Sequence, residues 1–420
     1  MRIINDTLAF LAPIGPEAFQ FDPTGAMVVK ASFKLKPDAA AEWLDEPLPA
    51  KGDELHMDDL GRSLAYASDM VIRKHRLDFL VTGHCHAPNG EPVTALHAAV
   101  SLGDWRKEVA VSGKRLWVDD GAGQARITEP EPFTKVPLRY ELAYGGLMDT
   151  ENPGGLGQDD IPLDDGSGTE RPLPQIEDPT DRVLSPDQRV KLAGFAPLAP
   201  HYGERARKLG TRDHRWAVTR APIPPKDMDP THTNAAPADQ QFPLEPGLRG
   251  DEPLTFENMH PDYPVYRTRL HALRPRLFAT RKVPRALEFF EIPLTLDTIL
   301  ADLDEEIGVL VFRGQLAFET PIGSEFRHFC LAMEGLDEPA GPLEAYRDHY
   351  LKRIQEEEGE DAEVAVELEA MAKMQEGIKM LEEGGLDPKF MAELKQVKDP
   401  QKAFEMLDAH LQEIIKRGYL

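Results

Sequence analysis

Three short strings in this chain carry residue types that could do chemistry. The first is His84-Cys85-His86, inside DFLVTGHCHAPNGEPV. On an extended strand successive side chains alternate, so His84 and His86 share one face and Cys85 takes the other. Two imidazoles so placed can chelate zinc, but a catalytic zinc needs a third protein ligand. No H-E-x-x-H or C-x-x-C string supplies one, which leaves scattered residues such as His56, His97 and His328. The triplet therefore reads as the end of a strand entering the APNG turn. A β-sandwich metal-dependent hydrolase using His84 and His86 is the alternative.

The second string, from Tyr144 to Gly157, contains YGG and NPGGLG. It lacks the G-x-x-x-x-G-K-[ST] pattern and sits among carboxylates, so a tight glycine turn is expected rather than a phosphate cradle. The third is Asp159, Asp160, Asp164 and Asp165, hard oxygen ligands whose spacing does not fit an EF-hand. A solvated loop is the better reading. No G-x-S-x-G elbow occurs. Cys330, in EFRHFCLAM, has apolar neighbours that favour a buried thiol. His214 lies between Asp213 and Arg215, where a structural hydrogen bond is the expected role. No catalytic residue is assigned.

The elements that must position these residues are mostly strands. Runs such as AMVVKASFKL, LDFLVTGH, PVTALHAAVSLG and VPLRYELAY are rich in β-branched and aromatic residues, with Gly, Pro, Asp and Asn between them. They predict a mainly β body, an antiparallel sandwich or open barrel, over residues 1–335. A long Gly/Asp loop is expected over 145–172. A proline-rich stretch over 173–265 is expected to wrap the sheet, without long helices or central strands. Residues 336–420 predict an acidic α-helical extension. Its apolar stripes are Val364, Leu368, Met371, Ile378 and Leu381, then Phe404, Leu407, Leu411, Ile414 and Ile415, and Asp387-Pro388 and Asp399-Pro400 look like helix starts.

The formal charge of the 420 residues is -25, and the summed field of such a chain repels phosphate. Nucleic acid and anionic membrane are therefore not expected as partners. No stretch reaches the roughly 18 consecutive apolar residues of a membrane helix. Two cysteines far apart give no disulfide framework and suit a reducing, cytoplasmic setting.

Ten strings then occur in a telling order. They include INDTLAFLAPIG, SLGDWRKEVAVSGKRLW, PLRYELAYGG, ENPGGLG, GTRDHRWAVTRAPIPPKDMD, NAAPADQQ, LRGDEPLTFENMHPD and LDTILADLDEEIGVLVFRG. Together they resemble a bacterial domain-of-unknown-function family encoded beside the spike protein VgrG and PAAR-type effectors, over about residues 1–335. The resemblance implies a cytoplasmic, non-enzymatic adaptor or chaperone for type VI secretion, with no cofactor. Its implied partners are a cognate effector with a PAAR-like domain and VgrG itself. The family's recurring positions fall here on Tyr144, Asn152, Asp213, Trp216, Asp239, Asp251 and Glu252, which become candidate partner-binding residues. The HCH triplet stands where the family has smaller residues, and the helical extension lies outside the shared pattern.

Overall fold

The computed structural model describes residues 2–14, 24–59, 61–119, 125–157, 171–221, 224–283, 286–317 and 325–358, with the single positions 390 and 406. In chain order the main strands are β1 (Arg2–Asn5), β2 (Phe10–Ile14), β3 (Thr24–Lys34), β4 (Leu77–Thr82), β5 (His84–His86), β6 (Ala95–Leu102), β7 (Trp105–Ser112) and β8 (Lys135–Pro137). They continue as β9 (Leu254–Glu257), β10 (Val265–Arg269), β11 (Leu273–Val283), β12 (Ala286–Ile292), β13 (Thr295–Asp302), β14 (Ile307–Ala317) and β15 (Phe326–Gly335). The α-helices among the described residues include α1 (Gly203–Lys208), α2 (His214–Thr219) and α3 (Leu343–Glu358).

These strands build three large sheets. One runs β4-β13-β14-β3-β2, extended by Gln241–Phe242 beside β4 and by Glu42–Trp43 on β3. A second runs β7-β6-β9-β10 between the short edge strands Ile176–Glu177 and Ala39–Ala40. The third runs β1-β15-β11-β12. Pairing is mostly antiparallel, but β4–β13, β1–β15 and β10 with Ala39–Ala40 are parallel. The fold is mainly β, as expected, and among the described residues the sheets form no closed barrel.

All three sheets turn apolar faces into one core, to which Val29, Phe33 and Phe79 contribute from the first, Val100 and Phe256 from the second, and Leu277 and Phe329 from the third. Burying so many large side chains, at about 1.5–3 kcal/mol each, is the main force holding the layers together. Strand β3 is buried on both faces from Gly25 to Phe33, so even Lys30 is enclosed. Its ammonium is met by the Asp69 carboxylate at 3.0 Å and the Tyr66 hydroxyl at 2.7 Å.

Strand β9 corrects one expectation. It lies inside the 173–265 stretch yet pairs with β6 on one side and β10 on the other, as an interior strand. Pro253 and Pro261 flank it, but its four residues, LTFE, contain no proline and keep every backbone donor. Elsewhere in that stretch the described residues form short elements, among them the two-residue strands Ile176–Glu177 and Gln241–Phe242 and the six-residue helices α1 and α2.

The β body ends at Gly335, and α3 follows. It does not stand apart. Tyr350 and Ile354 are buried against Ile4, Phe278 and Cys330 of the third sheet, and Tyr346 stacks on Phe278 at 4.8 Å between centroids. Strand alternation explains this: Phe278 and Cys330 face the helix, whereas Leu277 and Leu331 face the main core. The stripes expected at Val364–Leu381 and Phe404–Ile415 lie outside the described residues.

Candidate functional site

Tyr144 and Asn152 are brought together, but in the interior. Tyr144 is buried with Trp117, Leu173, Val183 and Val190. The Asn152 Nδ2 donates to the Tyr140 carbonyl at 2.8 Å and the Tyr144 carbonyl at 3.0 Å, and its own carbonyl accepts from Gly146 and Gly155. A Cβ at Gly145 would stand 2.1 Å from the Asn152 carbonyl oxygen, so only glycine allows this approach. The glycine string is thus a buried staple, closed by a parallel bridge between Tyr144–Gly145 and Leu156–Gly157. Both side chains are buried, Tyr144 to 5 % and Asn152 to 0 % exposure. The four aspartates of 159–165 lie outside the described residues.

Asp213 and Trp216 share α2. Asp213 is its N-cap, accepting from the Trp216 backbone N–H at 2.7 Å. Trp216 is half-buried, with the Arg212 guanidinium 5.6 Å above its ring, while His214 and Val218 are exposed, Val218 to 69 %. The base of this projection is closed by Thr211, whose N–H and hydroxyl donate to Asp227. Asp239 is exposed and pairs with Lys107 at 2.8 Å. Asp251 and Glu252 shape a different turn. The Glu252 carboxylate accepts from the Arg249 and Gly250 amides, and Asp251 pairs with the Arg249 guanidinium.

The HCH triplet forms β5 and alternates as expected, with Cys85 buried and both histidines half-exposed. Burial pushes the Cys85 thiol up to about 12, so it is inert as a nucleophile at neutral pH. His328 hydrogen-bonds Thr280 within the third sheet and His97 pairs with Glu108, so neither joins the triplet. Among the described residues no group of three or more His, Cys, Asp or Glu is arranged to hold a metal ion.

Instead, β5 borders a cleft of about 550 Å³ that sequence reasoning missed, lined among others by Lys34, His86, Lys135, His260, Asp304 and Glu306. Gly83, just before β5, has φ +141° and lets the chain pass close to Leu303, next to Asp304. His84 Nδ1 donates to the Asp304 carboxylate at 2.6 Å. Glu306 is held by the Lys34 ammonium at 3.0 Å and by His260 at 3.2 Å, and the other His260 nitrogen accepts from the Asp262 amide. Burial disfavours ionised Asp304, but the His84 hydrogen bond and the nearby charges of His84, Lys135 and His86 override it and hold the carboxyl below its usual range.

His86 and Lys135 are directly opposed on the β5–β8 ladder. Burial, then the Lys135 charge, lowers the tendency of His86 to protonate. The only sequence signal for this site was the H-x-H pair itself. Of its other groups, Asp304 lies 220 positions from His84.

The cleft, the Asn152 staple and α2 all fall inside the segment that is shared with other proteins, whereas α3 falls outside it. No curated protein and no solved structure matches the chain. One family model does, across residues 21–313 and so well over half the chain: this protein belongs to the family described as an uncharacterized protein conserved in bacteria (DUF2169).

Proposed function

We propose that this protein is a non-enzymatic adaptor of type VI secretion that holds a cognate effector carrying a PAAR-like domain and presents it to VgrG. Two things support the reading. One is the ordered set of strings that resembles that adaptor group. The observation that carries it here is α2, whose Asp213 cap and Thr211–Asp227 clasp fix a projecting turn that offers Trp216, Arg212 and Val218. Aromatic and arginine side chains on a preorganised support dominate interface energetics. Arg212 and Arg215 make this turn locally basic in an otherwise acidic chain, so an acidic or mixed face on the effector complements it.

The test is co-expression with the PAAR-type effector encoded beside the gene, followed by co-purification and an export assay. A stable complex is expected, weakened by about 2 kcal/mol in Trp216→Ala. Deleting the gene should lower export of that effector while release of the tube protein continues. Unchanged export together with no complex removes the adaptor reading.

A further inference from the structure

The cleft beside β5 contains a pattern of charge that its internal ion pairs leave incomplete. Of its three carboxylates, Asp304 is taken up by His84 and Glu306 by Lys34 and His260, while Asp262 makes no ion pair among the described residues. Lys36 pairs with Glu42. On the cationic side Lys135 and His86 face each other across the two-stranded ladder, and neither makes an ion pair with a described carboxylate. Cations directly opposed on neighbouring strands repel, because their Cβ atoms are only about 5 Å apart. The same geometry lets an ammonium and an imidazole converge on one anion between them.

We propose that this cleft binds a carboxylate group, held between the Lys135 ammonium and the His86 ring. The ladder fixes both strands, so the two donors are positioned before the ligand arrives. A cleft of about 550 Å³ accommodates the group together with several atoms of the chain that bears it. The charge of the walls selects against a dianion. Asp262, Asp304 and Glu306 line the same space, so a doubly charged phosphate meets more repulsion than a singly charged carboxylate. The site takes its anion best when His86 is protonated. The groups that set that protonation are Lys135 opposite, His84 on the same strand, and Asp304 and His260 from the facing loops. Binding therefore strengthens as pH falls through the histidine range. This inference is independent of the adaptor reading, since it involves neither α2 nor a protein partner.

The test uses the full chain with ring-labelled histidine, the His86 resonance being identified by its loss in His86→Gln. N-acetylglycine is titrated at constant ionic strength, with N-acetylglycinamide as the uncharged control. A saturable shift of His86 is expected with the acid and none with the amide. Lys135 is exposed, so Lys135→Ala keeps the fold, and it should weaken the acid by about tenfold, the equivalent of one charge-assisted hydrogen bond. Binding should be tighter at about pH 6 than at about pH 8. No saturable shift, an equal shift with the amide, or indifference to Lys135→Ala overturns the site. Tighter binding of inorganic phosphate than of N-acetylglycine overturns its assignment to a carboxylate.

Discussion

Asp78 is the residue whose removal should be felt most widely. It sits in β4 with its side chain fully enclosed, and its Oδ2 meets the equally buried Lys74 ammonium at 2.8 Å. The same carboxylate accepts from Asn234 Nδ2 and from the Ala235 amide, both at 2.9 Å. It thereby fastens the chain returning from α2 to the first sheet. Asp78→Ala leaves Lys74 with the Thr298 hydroxyl alone and orphans the Ala235 N–H. Breaking a buried pair from one side costs about 3–5 kcal/mol, because the remaining charge is uncompensated. That is a large share of the roughly 5–15 kcal/mol that holds a domain folded. Removing both charges in Lys74→Met/Asp78→Leu eliminates the stranded ammonium and should leave only the unpaired amide groups, about 1–3 kcal/mol. Urea unfolding followed by fluorescence of the four tryptophans measures all three proteins. The reasoning is refuted if Asp78→Ala costs less than about 1 kcal/mol, or if the double variant is as unstable as the single one.

Two further outcomes follow from the packing and the titration. Ending the chain before α3 uncovers Phe278 and removes the buried Tyr350 and Ile354, so calorimetry should show a body destabilised by about 3–6 kcal/mol rather than an unchanged one. Burial, aided by neighbouring cations at the first three, lowers the protonation of His56, His75, His86 and His201 below the usual 6.5. The unfolded chain then takes up protons first as pH falls below about 6.5, so Tm should drop on going from neutral to mildly acid buffer, and His86→Gln should shallow that drop.

Much of the architecture was legible along the chain. Three of the β-branched runs became strands, whereas VPLRYELAY is broken by a 3-10 turn over Tyr140–Leu142, and the H-x-H triplet alternated as a strand must. These are local properties, set by backbone geometry over two to four residues, and a single sequence displays them. Burial and convergence are different. Lys30 and Asp78 are polar residues within strands, and only the two-sided packing of β3 and the docking of residues 234–235 on β4 enclose them. Tyr144 and Asn152 stand in a glycine-rich string that reads as surface, and the bridge between Tyr144–Gly145 and Leu156–Gly157 turns them inward. The cleft joins His84 to Asp304 and His86 to Lys135 because of how β5 pairs with β8 and where the β13–β14 turn falls. Such juxtapositions depend on the register of distant strands, which is fixed by the energy of the assembled core and leaves no periodic trace in the residues it brings together.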